Sequence, residues 1–361
     1  MLKHLIGKKT NRKIIVFESD DWGSFRFKNK SIRDHYMPVP KTGQWMHYND
    51  CFESFEDLVC LEKILKSVKD KNSKPVCFTF LMNPANPDFR KIEESNFESY
   101  YFEPFDETLK KRHDGNQILD WYKSSLNTKL IEVGFHGREH LNVKSWMEDL
   151  KKGSKITREG FENRIWGQAK LHTKEKKLSY RSTFNIENES ELVGLKTDIK
   201  DGLSIMNKIF DKPATYFLPP DGPYHLSLNK YLVENGIKYI GLAKLHNNPL
   251  QPKWHQKKAF WLGKKTKEGL RVITRNVMFE PSSPKQDDWV GFALQQIEVA
   301  FKYRNPAVIS THRANYMSGL NLDNREKALE QLKDLLHQIT KRWPDVEFMT
   351  SSQLGETLGA S

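Results

Sequence analysis

The sequence has 361 residues, of which 37% are hydrophobic and 29% charged, and its formal net charge is +12. This composition supplies a sizeable core and excludes a disordered chain, and no apolar run approaches the ~18 residues of a membrane helix. The positive charge would suit an anionic partner, but the lysines are spread along the chain and not gathered into a basic helix or RNA-binding motif. We expect a folded protein with no nucleic-acid partner and no integral membrane segment.

The first residues, MLKHLIGKKTNRK, lack the apolar run of a secretory signal, so we expect a cytoplasmic protein. Cys51, Cys60 and Cys77 are odd in number and match no metal-binding spacing, which suits a reducing compartment. We expect these cysteines to serve packing.

Short β-rich segments recur between helical or irregular stretches, a pattern typical of βα units and a parallel sheet. Apolar residues recur at helical spacing in three clear segments, 54–70, 191–210 and 324–343. Seven or eight strands separated in this way predict an α/β barrel. The predicted strands are 13–17, 75–80, 130–135, 214–218, 238–243, 271–277, 307–310 and 346–350.

No linker, internal repeat or shift in composition divides the chain, so we expect one domain over residues 1–361. Three long, aromatic-rich and irregular stretches are expected to be loop insertions over one end of the barrel, near 25–53, 84–125 and 244–270.

Polar clusters follow four of the predicted strands directly. They read ESDD after the first strand, HGREH after the third, LPPDGPYH after the fourth and THRANY after the seventh. In parallel α/β folds the active site assembles at the carboxyl ends of the strands. These four segments therefore predict one shared site.

His136 and His140 lie four residues apart, a spacing that would place both imidazoles on one face of a helical turn and within reach of one metal ion. Such a metal usually needs a third protein ligand, often a carboxylate, and Asp20 or Asp21 would supply it. Two adjacent carboxylates repel unless a cation is near, which favours a metal over a capping role.

HGREH also reads as H-x-x-E-H, the signature of a class of zinc peptidases in which the glutamate, here Glu139, activates water. That motif lies within a helix. Here a β-rich run ends at Phe135 and Gly137 separates the histidines, which fits a turn at a strand end better.

The ordered motifs ESDDWG, HGREH, FLPPDG and VISTHR resemble the polysaccharide deacetylase superfamily, the carbohydrate esterases that include chitin and peptidoglycan deacetylases. The SDDWGS and S-x-H-R elements are similar to those of a polysaccharide (de)acetylase branch. The resemblance implies a deformed (β/α) barrel, an acetylated carbohydrate substrate and a divalent metal, usually zinc, on Asp21, His136 and His140. It further implies that Asp20 is the general base and His312 the general acid.

Two positions depart from the pattern of that superfamily. Leu218 stands where an arginine usually pairs with the base, and Asp221 stands where a tyrosine is usual. The candidates for a replacement arginine are Arg26, Arg181 and Arg313, and Arg313 is favoured because it adjoins His312. The departures leave open an active deacetylase, a hydrolase of another bond and a catalytically weak carbohydrate-binding protein.

The resemblance also suggests substrate contacts. The loop from Pro219 to Gly222 would offer a backbone N–H to the oxyanion, and two aromatic rings that flank the motifs would stack on sugar rings. The expected substrate-binding residues are Trp22, Pro220, Asp221, Tyr224 and Arg313.

Overall fold

The structure is a computed structural model, and it describes residues 6–38, 45–166, 180–250 and 257–360. Segments 39–44 and 251–256, which belong to two of the predicted insertions, lie outside the described residues.

Thirteen β-strands are present in the described residues. They are β1 (Lys13–Trp22), β2 (Phe78–Met82), β3 (Ala85–Pro87), β4 (Phe102–Pro104), β5 (Ile131–Phe135), β6 (Tyr216–Phe217), β7 (Tyr239–Gly241), β8 (Leu245–Asn247), β9 (Lys257–Ala259), β10 (Arg271–Ile273), β11 (Val277–Met278), β12 (Ala307–His312) and β13 (Val346–Phe348).

Thirteen α-helices in the described residues surround the strands. They are α1 (Lys30–Tyr36), α2 (Trp45–Asn49), α3 (Phe55–Leu65), α4 (Phe89–Glu94), α5 (Phe105–Lys110), α6 (Gly115–Asn127), α7 (Val143–Lys151), α8 (Lys155–Glu162), α9 (Glu191–Phe210), α10 (Leu228–Glu234), α11 (Trp289–Lys302), α12 (Leu322–Arg342) and α13 (Ser351–Ala360). Within the same residues, no helix combines the length and apolar character that crossing a membrane requires.

The main sheet is parallel throughout and curls into a barrel that stays open on one side. Its order is β10-β7-β6-β5-β2-β1-β12-β11, and β13 pairs with the start of β1. The predicted α/β barrel is thus confirmed. β10 and β11 are consecutive in the chain yet form the two ends of this order, so the connection at residues 274–276 spans the open side.

β1 is the central strand of the sheet. Every residue from Ile14 to Trp22 is buried, because helices cover the outside and side chains fill the inside of a parallel sheet. β12 pairs with β1 in a register that sets Asp20 opposite His312. Two residues that are far apart in sequence are therefore neighbours at the same end of the sheet.

The helices predicted from periodicity are present as α3, α9 and α12. α3 begins with a capping box in which Ser54 Oγ accepts from Asp57 N and the Asp57 carboxylate accepts from Ser54 N. This reciprocal pairing satisfies two backbone donors at the helix start.

The predicted strand at 271–277 is in fact two strands, β10 and β11, separated by Arg275. Thr274, Arg275 and Asn276 belong to neither strand. The stretch 84–125, expected to be irregular, contains the β3–β4 hairpin and helices α4 to α6. Ile118, Trp121 and Tyr122 have helical spacing and are buried in α6, but the many aromatic residues around them made this spacing hard to recognise in the sequence.

Candidate functional site

A cavity of about 460 Å³ opens at the carboxyl ends of the strands of the main sheet. All four polar motifs contribute to its wall, as expected from their positions after β1, β5, β6 and β12. The lining residues include Asp20, Asp21, Arg26, His136, His140, Arg181, Leu218, Pro219, Asp221, Gly222, Lys244, Arg275 and His312.

The side chains of Asp20 and Asp21 point at different neighbours because the backbone turns sharply at the end of β1. Asp21 has φ 75°, a left-handed conformation that costs energy for a residue with a side chain. Gly23 follows with φ 77°, and a Cβ there would lie 2.6 Å from Asn83 O. The turn is therefore specific, and it points the two adjacent carboxylates at different partners.

Asp21 lies beside both histidines of HGREH. Its Oδ1 is 3.5 Å from His136 Nε2 and 3.3 Å from His140 Nε2. The segment after Phe135 forms bends and not the helical turn that the spacing suggested, with Gly137 at φ 87°. A strand end and a loop thus bring the two imidazoles together, with ring centroids 5.4 Å apart.

The protonation of the two histidines suits metal binding. His136 Nδ1 lies 2.7 Å from Leu218 O, which can only accept, so Nδ1 donates and Nε2 is the ring nitrogen that would bind a metal beside Asp21. Burial lowers the pKa of His140 to about 4, and Arg26 and His136 act in the same direction while Asp21 opposes them. His140 is therefore neutral at pH 7, as a metal ligand must be.

Asp21 completes a set of donors that fits a divalent ion such as zinc. The three donor atoms lie within 4.8 Å of one another, and all three residues are buried. Burial raises the pKa of Asp21, but His140, His136 and Arg26 outweigh it, and the pKa stays well below its usual range. One ionised carboxylate and two neutral imidazoles are a common ligand set for catalytic zinc.

Asp20 is held by Arg275, which none of the sequence-based candidates anticipated. Arg275 Nη1 donates to Asp20 Oδ2 at 2.7 Å and Nη2 donates to Oδ1, while Nε donates to Glu18 Oε2 at 2.7 Å. Burial raises the pKa of Asp20, but Arg275 outweighs it and the pKa is lowered. Asp20 is thus ionised and fixed in orientation, as a general base must be.

Arg275 corrects the prediction that Arg313, Arg26 or Arg181 replaces the missing arginine at Leu218. The sequence carried a signal for it, since Arg275 follows the apolar residues of β10 at the same end of the sheet as the other motifs. Glu18, which also accepts from Ser351 Oγ at 2.7 Å, anchors Arg275 from the barrel interior.

His312 lies between two carboxylates. Its Nδ1 is 2.7 Å from Glu280 Oε1, and its Nε2 is 3.7 Å from Asp20 Oδ2. Burial lowers the pKa of His312, but Glu280, Asp20 and Asp21 outweigh it and raise the pKa to about 9. The imidazole is therefore protonated at neutral pH and is able to donate a proton. Glu280, which follows β11, was not predicted from the sequence.

We expect His312 in metal-free protein to titrate with a pKa of about 9, as measured by NMR of the imidazole protons. In Glu280→Gln the pKa should fall, because the carboxylate that counters burial is gone. Because the folded pKa is raised, Glu280 stabilises the fold below the ordinary histidine pKa, and this contribution is lost as pH rises through about 9. The same pKa in both proteins would show that Glu280 does not control His312.

Asp221 and Gly222 form a tight turn on the opposite wall, with φ 57° and 95°. Asp221 Oδ2 accepts from Ser182 Oγ at 3.0 Å. Burial raises the pKa of Asp221, but Arg181, His140 and the Ser182 hydrogen bond outweigh it, so the carboxylate is ionised. Asp221 lines the cavity, where its carboxylate can accept a hydrogen bond. Pro220 does not line the cavity, whereas its neighbour Pro219 does.

Trp22 and Tyr224 are not available to a sugar ring, which corrects the prediction of stacking. Both side chains are fully buried. Trp22 stacks on Phe80 at a centroid distance of 3.6 Å and donates to Ser19 Oγ, and Tyr224 packs against Phe217. Both aromatic side chains therefore pack in the apolar core beneath the site.

Arg313 is likewise buried and does not line the cavity, so its position does not support the predicted substrate contact. Its Nη1 donates to Glu53 Oε2 at 2.7 Å and to Ser24 O, and its Nη2 donates to Asp50 Oδ1. Arg26 Nε forms an ion pair with Asp50 Oδ2 at 2.8 Å, and Arg26 Nη2 lies 3.4 Å from Asp21 Oδ2. Arg313 thus supports the segment that carries Arg26.

We expect Arg313→Met to lower the free energy of unfolding by about 3–5 kcal/mol, because Asp50 and Glu53 would stay buried without their shared cation. Urea denaturation followed by circular dichroism measures this loss. Arg12→Met is the matched control, since Arg12 forms an ion pair with Glu347 but is 44% exposed, and it should cost about 0–1 kcal/mol. An unchanged stability with a raised KM would instead favour the substrate role.

Glu139 does not face the cavity, which contradicts the zinc-peptidase interpretation. Its carboxylate accepts two hydrogen bonds from Arg138, at 2.6 and 2.8 Å, and it is buried. Arg138 is further paired with Asp198 on α9 at 2.9 Å. A carboxylate held in this way has no access to water beside His136 and His140.

No family model matches this sequence, and no curated protein matches it. Among solved structures, a Parabacteroides distasonis protein provisionally described as a glycoside hydrolase/deacetylase aligns over 96% of this chain and 71% of its own, with a TM-score of 0.52 and 9% identity. The chain has the polysaccharide deacetylase-like fold. Puue allantoinase aligns over 97% of this chain and 92% of its own, with a TM-score of 0.50 and 9% identity.

A Mycobacterium smegmatis protein provisionally described as a polysaccharide deacetylase covers 98% of this chain and 93% of its own, at a TM-score of 0.48 and 11% identity. At these identities the likeness concerns the fold alone. The parallel sheet and the alignment with a TM-score of 0.52 confirm the deformed (β/α) barrel that the resemblance implied.

Proposed function

We propose that the protein is a metal-dependent deacetylase of carbohydrates. The observation that carries the proposal is the arrangement of Asp20, Asp21, His136, His140 and His312 around one cavity at the carboxyl ends of the strands. The chain would act as one catalytic domain, since elements from β1 to β12 wall the cavity.

Asp21, His136 and His140 would hold the metal. When bound, a divalent ion such as zinc lowers the pKa of a water molecule from 15.7 to about 7 and polarises the acyl carbonyl. The hydrogen bond from His136 Nδ1 to Leu218 O keeps the imidazole in the tautomer that this role needs.

Asp20 would take the proton of the attacking water. Arg275 keeps it ionised and orients both carboxylate oxygens, and its neighbour in the sheet, His312, lies 3.7 Å away. Positioned bases of this kind contribute about 10² to 10⁴ in rate. The water oxygen forms a bond to the acetyl carbon as the proton passes to Asp20.

His312 would donate a proton to the departing nitrogen or oxygen of the sugar as its bond to the acetyl carbon breaks. Its raised pKa, about 9, keeps the imidazolium present at neutral pH. Base and acid thus occupy matched positions on β1 and β12, and the products are acetate and the deacetylated sugar.

The oxyanion that forms meanwhile would be met by a backbone N–H of the loop from Pro219 to Gly222. Asp221, ionised and facing the cavity, would accept a hydrogen bond from a sugar hydroxyl. These contacts would orient the acetyl group toward Asp20.

Acetate release from acetylated oligosaccharides tests the proposal. Protein stripped with a chelator should be inactive and should recover when zinc is added back. The panel should carry N-acetyl and O-acetyl groups, because the proposed base and acid could serve cleavage of either bond. If no acetylated glycan releases acetate with any divalent metal, a carbohydrate-binding role without catalysis replaces this proposal.

A further inference from the structure

A second cavity, of about 440 Å³, lies along the same two chain segments that wall the site. The segment after β6 lines the site at 218–222 and the second cavity at 225–229. The segment after β7 lines the site at 241–244 and the second cavity at Asn248 and, beyond β9, at Phe260. The two cavities are therefore lined by successive parts of the same two chain segments.

The second cavity is strongly basic. Four lysines line it against one carboxylate, and that carboxylate, Glu268, accepts from Asn229 Nδ2 at 3.1 Å. No carboxylate of the described residues forms an ion pair with Lys258, Lys265 or Lys267. Lys264 is the exception among the four, since it donates to Ala259 O at 3.0 Å. Lys258, Lys265 and Lys267 thus line a cavity that contains one carboxylate, Glu268, and that carboxylate already accepts a hydrogen bond from Asn229.

The β8–β9 hairpin joins this basic region to the site. Lys244 lines the site and directly precedes β8, and Lys258 on β9 pairs with His246 on β8. His246 is two residues beyond Lys244, which is about 7 Å along a strand. One hairpin and the residue before it therefore carry a lysine of the site wall, Lys244, and a lysine of the second cavity, Lys258.

We propose that the substrate is an anionic glycan whose carboxylates are bound by Lys258, Lys265 and Lys267 while an acetyl group occupies the site. The inference rests on the proposed function and adds the charge of the substrate to it. A neutral glycan could not form ion pairs with these ammonium groups, whereas a chain of sugar carboxylates could form one with each of them.

A nucleic acid fits the region less well. Binding of single strands relies on exposed aromatic rings for base stacking, and Phe260, the aromatic residue that lines the second cavity, is 8% exposed. The continuity with the site also favours a substrate over a membrane surface.

The test measures binding with Asp20→Asn protein, so that no turnover interferes, and uses oligogalacturonate as a carboxylated probe without acetyl groups. The triple variant combines Lys258→Gln, Lys265→Gln and Lys267→Gln. It should bind oligogalacturonate about tenfold more weakly, because exposed ion pairs are of modest strength. Added salt should remove the difference between the triple variant and its parent. Chitohexaose, which is neutral, should bind equally to both proteins.

The matched control replaces three exposed lysines of α12, Lys327, Lys333 and Lys341, with glutamine. This triple carries the same change in net charge on a different face and should bind oligogalacturonate as the parent does. The inference would be overturned if both triple variants bound oligogalacturonate equally weakly. It would also be overturned if single-stranded DNA or phosphatidylserine vesicles bound equally tightly and their binding depended on the same three lysines.

The two proposals fail in different ways. If oligogalacturonate binding depends on the three lysines but no acetylated glycan is hydrolysed, the deacetylase function is wrong. If acetate is released with the same KM from neutral and acidic acetylated oligosaccharides by parent and triple variant, the deacetylase function stands and the anionic substrate is wrong.

Discussion

Asp20→Asn should lower kcat for acetate release by about 10² to 10⁴, with little change in metal content. The amide keeps the shape of the side chain but cannot accept the proton of water. Arg275 would retain Glu18 as a partner, so the barrel should stay folded. Steady-state kinetics with zinc-loaded protein, together with circular dichroism, measures the effect.

Asp221→Asn is the matched control for Asp20→Asn, because it removes the same charge from the same cavity. Asp221 is proposed to bind a hydroxyl, so its amide should change KM more than kcat. Glu139→Gln should leave catalysis largely intact, whereas the peptidase interpretation requires it to be lost. A fully active Asp20→Asn protein would contradict the assignment of the base.

Metal binding should depend on Asp21, His136 and His140. We expect Asp21→Asn or His140→Gln to lower zinc affinity by more than the roughly 10- to 100-fold cost of losing an outer partner of a ligand. The reason is that each change removes one of three donors from a buried site. Isothermal titration calorimetry of the stripped proteins gives the affinity, and elemental analysis gives the stoichiometry.

His246→Gln is the control for the metal variants. His246 is also buried, but its Nε2 lies 2.8 Å from Tyr224 O and it lies outside the metal cluster. It should bind zinc as the parent does. If His140→Gln bound zinc equally well, the metal would have to be held elsewhere.

The sequence predicted the barrel and the meeting of the four motifs because each signal was local. Apolar β-branched runs marked the strands, and polar residues placed directly after them had to lie at one end of a parallel sheet. This rule placed Asp20 and Asp21 near His136 and His140, and the choice of Asp21 as the ligand came from the resemblance. The same rule would have included Arg275 had the strand at 271–277 been divided correctly.

The residues that sequence reasoning misplaced depend on tertiary packing. Nothing local distinguishes Trp22, which turns into the core, from an aromatic residue that stays exposed. Arg313 adjoins His312 in sequence, yet a backbone turn after β12 sends the two side chains to different sides. Glu280 gains its role only because β11 pairs with β12, a register that no short-range pattern specifies.

The contact between Glu18 and Ser351 connects the site to helix α13. Ser351 begins α13, and its hydroxyl fixes Glu18, which fixes Arg275, which fixes Asp20. A tag, a fusion partner or a proteolytic cut near α13 would thus change the orientation of Asp20 and with it the proposed proton transfer. Expression designs that leave residues 351–360 undisturbed should give the more faithful preparation for kinetics.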